Sequence, residues 1–134
     1  MPHLISFSVV SQSVGLGSPP FNDDKKIPIS DVLTILRSVI RAVPVDEEWY
    51  CRTYPDVAEA IEAGDVQSAT QHFVQNGYFE GRRPSEPKVD EDWYLASYPD
   101  VVESIASGDF KSAQEHFERH GYREGRVPTA QDVL

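Results

Sequence analysis

The sequence predicts an all-α protein: two tandem three-helix repeats packed with an N-terminal amphipathic helix, preceded by an arm that reads as a strand. Three observations predict it. Shifting the chain by 44 residues lays 45–88 on 89–132 with 23 of the 44 positions identical. Inside each copy the apolar residues recur at i, i+3 and i+4, which is the spacing of one helix face. Upstream, "ISDVLTILRSVIRAVP" carries the same period more strongly than either copy.

On this reading the chain divides into an arm and loop at 1–29, the amphipathic helix at 30–44, and repeats at 45–88 and 89–132. "LISFSVV" alternates Ile5, Phe7 and Val9 with Ser6 and Ser8, a strand pattern with nothing to pair with in a helical chain, so it is expected as a free arm or as a partner for another subunit. "GLGSPPFNDDKKIP" is rich in turn formers and reads as a loop. In the following helix Ser30 or Asp31 caps the start and Pro44 marks the end. Val32, Leu36, Val39 and Val43 form one stripe, broadened by Leu33, Ile35 and Ile40, with Arg37 and Arg41 outside it. Two short repeats offer little surface to cover that stripe, so Val32, Leu36, Val39 and Val43 are the expected face of a homodimer.

Each repeat reads as three short helices. Asp46 and Asp90 stand as N-caps before "EEWY" and "EDWY", and Tyr50/Tyr54 and Tyr94/Tyr98 fall at i, i+4. Pro55 and Pro99 stop that helix, and Asp56 and Asp100 are expected to cap a second one ending at Gly64 and Gly108. A third begins at Ser68 or Ser112, turns His72 and Phe73 or His116 and Phe117 to one face, and ends at Gly77 or Gly121, where a left-handed glycine is expected. The closing "GYFEGRRP" and "GYREGRVP" leave Arg82 and Arg126 to pair with Asp56 and Asp100, or with Glu80 and Glu124, pinning the loop to a helix start.

Periods of this length belong to arrays in which each unit buries its apolar face on a neighbour. Two units are few for such an array, so the N-terminal helix or a second chain is expected to complete the core. The 134 residues amount to one domain of ordinary globular composition.

Of the net charge of −10, residues 1–44 carry +1, 45–88 carry −5 and 89–134 carry −6. So acidic a pair of repeats repels phosphate backbones and anionic headgroups, which argues against nucleic acid as a partner and against membrane association. No run approaches the length of a membrane-spanning helix, and "MPHLISFSVV" lacks the basic start of a secretory leader. A cytoplasmic protein is expected, although a leaderless export route leaves no trace in sequence. Cys51 has Leu95 as its counterpart and reads as packing.

No motif carries chemistry. H-E-x-x-H, paired cysteines, G-x-S-x-G and phosphate-cradling glycine loops do not occur, and "DVAEAIEAGD" does not fit a calcium loop. No catalytic residue, cofactor or metal is therefore expected. His72 and His116 each precede an apolar Phe and read as enclosed, hydrogen-bonded histidines. The competing reading from another class makes them the centre of a small enzyme or metal site in a cleft between the units. A third reading is a carbohydrate-binding accessory that stacks sugars on Tyr78 and Tyr122.

The elements Trp-Tyr, Tyr-Pro-Asp-Val, His-Phe and Glu-Gly-Arg-x-Pro, at their separations in "WYLASYPDVVESIASGDFKSAQEHFERHGYREGRVP" and its first copy, carry a likeness. Residues 45–130 resemble a short bacterial repeat found in large secreted or surface proteins of the calcium-binding-repeat type and beside glycosyltransferase domains. The resemblance implies an accessory or interaction module, a repeat for which no activity is established. Together these readings point to a non-catalytic protein-interaction module with a protein partner, a homodimer being one form and a glycan an alternative ligand. His72, His116, Tyr78, Tyr122, Arg82 and Arg126 are its candidate binding surface.

Overall fold

The computed structural model describes residues 28–133, which are helical without a strand; the arm and loop expected before residue 28 lie outside them. Seven helices follow in order: α1 (Ile29–Ile40), α2 (Glu47–Thr53), α3 (Pro55–Ala63), α4 (Ala69–His72), α5 (Glu91–Ser97), α6 (Pro99–Ala106) and α7 (Ala113–His116). The helices α4 and α7 run on without a break into π-helical turns at Phe73–Gly77 and Phe117–Gly121. A short 3₁₀ turn, Ala130–Asp132, comes last. The described residues form two compact units, 28–86 and 87–133, so α1 belongs with the first repeat.

Local chemistry sets the boundaries. The side chains of Asp46 and Asp90 accept hydrogen bonds from the Trp49 and Trp93 amides at 2.9 and 3.1 Å, and Ser68 and Ser112 do the same for Gln71 and Glu115 at 3.0 and 3.1 Å. Pro55 and Pro99 both end one helix and occupy the first turn of the next, where a missing N–H is harmless. The caps expected at Asp56 and Asp100 are not there. Tyr54 and Tyr98 hold the cap positions without a side-chain bond, leaving both aspartates free to turn outward from the first turn. Similarly, α1 starts at Ile29 behind Pro28 and not at a Ser30 or Asp31 cap.

Each repeat closes on its own start. The Asp46 amide donates to the Pro84 carbonyl at 2.9 Å and the Asp90 amide to the Pro128 carbonyl at 3.0 Å. Enclosed between these ends is one set of matched side chains: Tyr50, Val57, Ala69, Phe73 and Tyr78 in the first repeat, and Tyr94, Val101, Ala113, Phe117 and Tyr122 in the second. Aromatic rings supply most of this area, which is how so short a unit buries enough apolar surface. Cys51 is half-buried and Leu95 packs on the second core.

Helix α1 packs on the π turn of repeat 1, with Ile40 fully enclosed, Leu33 and Leu36 half-buried, and the Arg37 guanidinium 5.4 Å from the Phe79 ring centre. Of the expected stripe, Val32, Leu36 and Val43 are half-buried and Val39 is 62% exposed. The outward row is Ile35 and Val39, while Ile29 is exposed at the start of the helix, in line with the packed Leu36 and Ile40. At about 100° per residue the apolar arc of α1 is wider than the surface it packs on, so its outer edge stays bare.

Candidate functional site

The candidate residues sit in two arrangements, each present once per repeat. The first is a buried Tyr–His pair. The end of α4 places His72 beside α2, where its Nδ1 and the Tyr50 hydroxyl share a hydrogen bond of 3.1 Å; His116 and Tyr94 repeat this at 3.0 Å. The tyrosine rings are fully enclosed and the histidines nearly so. Burial pushes the Tyr50 and Tyr94 hydroxyls well above their ordinary range. It also holds both imidazoles below theirs, helped by the positive charge of Arg82 or Arg126 and opposed by Glu80 and Asp56 or by Glu124 and Asp100.

Gly77 and Gly121 make room for these pairs. A Cβ on Gly77 would stand 2.0 Å from the Tyr50 hydroxyl oxygen, and one on Gly121 2.3 Å from that of Tyr94. Neither glycine is left-handed, contrary to the expectation from sequence; among the described residues the positive-φ glycines are Gly64, Gly81, Gly108 and Gly125. The widened turn and the missing side chain together admit a tyrosine tip from another helix.

The second arrangement is an arginine clamp. Arg82 donates to both carboxylate oxygens of Asp56 at 2.9 and 2.8 Å and through Nε to Glu80 at 2.7 Å, while its guanidinium lies 4.9 Å from the Tyr54 ring centre. Arg126 does the same with Asp100 at 2.9 and 2.6 Å, Glu124 at 2.7 Å and the Tyr98 ring at 4.8 Å. The hydroxyls of Tyr54 and Tyr98 then accept from the Arg83 and Val127 amides, each at 3.1 Å. The paired arginines hold Asp56 and Asp100 below the usual carboxylate range.

Tyr78 and Tyr122 overturn their expected role as sugar-stacking platforms. They are 2% and 4% exposed, each in edge contact with the phenylalanine of its own core. The partners that sequence reasoning missed were Tyr50, Tyr94, Gly77 and Gly121. Their signal was identity between the copies, which does not say who meets whom.

The repeats also differ in instructive places. The Glu47 carboxylate accepts from the Ala69 and Thr70 amides at 2.8 and 3.0 Å and from the Thr70 hydroxyl. In repeat 2 Thr70 becomes Gln114, whose side chain instead takes the Val89 amide at 3.1 Å and donates to the Pro87 carbonyl at 2.7 Å. A shallow groove of about 300 Å³ between α1 and α4 is lined by Arg41, Ser68, Thr70, Gln71, Val74 and Gln75 and includes none of the candidate residues.

Among the described residues no three His, Cys, Asp or Glu side chains converge on one point, and no helix is long and apolar enough to cross a membrane. No protein-family model, characterised protein or solved structure matches the chain.

Proposed function

We propose that the chain is a non-catalytic interaction module that assembles through the outer row of α1, with a second copy of itself as the partner. The observation that carries this reading is the exposure of Ile35 and Val39, each at 62%, on a helix whose other side is committed to repeat 1. Charge favours the same surface. Residues 1–44 carry four basic groups against three acidic ones, whereas the repeats carry −5 and −6, so two copies meeting at α1 bring together their least acidic parts.

The matched polar side chains support the module reading in a different way. His72 with Tyr50, and Arg82 with Asp56, bond one another and so act as internal fasteners. The likeness of residues 45–130 to a repeat that looks like an accessory module agrees with this role. Sedimentation equilibrium tests the proposal: a dimer at micromolar concentration that becomes a 15.0 kDa monomer in Ile35→Glu/Val39→Glu supports it. A wild-type monomer at every concentration overturns self-assembly.

A further inference from the structure

The two repeats diverge at one place where the second gains a metal-binding side chain. His120 in repeat 2 corresponds to Asn76 in repeat 1. It lies one helical turn beyond His116 on the continuous α7–π segment, and their ring centres are 6.1 Å apart with planes 30° apart. We propose that His116 and His120 together chelate a divalent transition-metal ion of the imidazole-favouring group, Zn²⁺, Ni²⁺ or Cu²⁺.

Three features of the site fit this role. The Tyr94 hydroxyl engages Nδ1 of His116, which fixes that ring and leaves Nε2 as its ligating nitrogen; such a partner behind a metal-bound histidine orients it. His120 is exposed, so it can turn and an ion can reach it. A metal–nitrogen bond of about 2.1 Å at tetrahedral geometry sets the ring centres of two histidine ligands about 5.3 Å apart, so the observed 6.1 Å separation is within reach of a rotation of the exposed His120 side chain.

Phe110 walls the site, with its ring centre 4.8 Å from that of His116 and 5.3 Å from that of His120, edge to face with both. Its counterpart is Val66. The Arg119 guanidinium lies 5.5 Å from the Phe110 ring centre, with Nη1 held by Glu115 at 3.4 Å, and the nearby charges of Arg126, Glu124 and Asp100 are largely matched within their clamp. Two protein ligands leave the remaining coordination positions to water, so binding is exchangeable, not structural.

The test is titration of the full chain with Zn²⁺ alone, followed by calorimetry. One ion per chain is expected, weakened at least about tenfold in His120→Asn, which restores the repeat 1 residue at an exposed position. His3 is common to every variant and cancels in the comparison. Asn76→His supplies the reciprocal test: Asn76 is exposed, His72 is already held by Tyr50, and the stoichiometry is expected to rise to two. No binding by the wild type, binding undiminished in His120→Asn, or a stoichiometry that stays at one in Asn76→His overturns the proposal.

Discussion

Tyr50 and Gly77 are fitted to one another across 27 positions of chain: the tyrosine hydroxyl occupies the space that a Cβ at the glycine would fill, 2.0 Å away. The contact fixes the distance between α2 and the π turn, and it presents the same hydroxyl to His72. Gly77→Ala is therefore expected to lower stability by about 2–3 kcal/mol, from overpacking together with a weakened buried hydrogen bond. Tyr50→Phe removes the offending oxygen, so in the Gly77→Ala background it should recover part of that loss although it is harmful alone. Urea denaturation of the four-member cycle measures this, and simple additivity would contradict the proposed fit.

Acid should loosen both repeats through their histidines. His72 and His116 are held below their ordinary value near 6.5, chiefly by burial. The unfolded chain therefore takes up protons first as the pH falls. The stabilisation is complete above about pH 6.5 and is lost as the pH falls towards and through the folded values, at no more than about 1.4 kcal/mol per pH unit for each histidine. Asp56 and Asp100, held below 3.8 by their arginines, add their loss only at lower pH. Denaturation midpoints between pH 5 and 7.5 should fall on acidification, and a flat profile over that window contradicts the prediction.

What could be read from sequence was what adjacent residues determine. Asp46, Ser68 and their counterparts cap helices a few residues away. The misreadings all involve distant partners. Gly77 at the end of a helix looks like a left-handed stop, and only the arrival of Tyr50 reveals its use. Asp56 after a proline looks like a cap until Arg82 claims it. Tyr78 in a closing loop looks like an exposed ring, yet it closes on Phe73. Likewise, periodicity gave α1 an apolar stripe but could not say that Ile40 would anchor it and Val39 would stay outside.

The arginine clamp should be worth less than its geometry suggests. The Arg82 side chain is 21% exposed but that of Asp56 is 61% exposed, so water screens the pair. A double-mutant cycle with Arg82→Lys and Asp56→Asn is expected to give a coupling of about 1 kcal/mol or less. Arg82→Lys alone should cost somewhat more than the coupling, because lysine also loses the fork to Glu80 and the stacking on Tyr54. A coupling of several kcal/mol, measured by urea denaturation, would mean that the clamp is far better shielded than its exposure implies.

The surface that receives α1 explains a further difference between the copies. Val74 is 5% exposed on the π turn that α1 packs against, and Phe79 lies under Arg37; their counterparts are Glu118, which is exposed, and Arg123. Repeat 1 thus presents apolar groups where a helix lands, and repeat 2 presents charged ones. Exchanging the residues should undo the landing. Val74→Glu places a carboxylate where burial is nearly complete, and Phe79→Arg sets two guanidinium groups together, for a combined loss of about 2–4 kcal/mol. Hydrogen exchange reads the outcome directly: amides of α1 should lose protection in the double variant while those of α5 and α6 keep theirs. Unchanged protection across Ile29–Ile40 would mean that α1 is held by something other than the π turn.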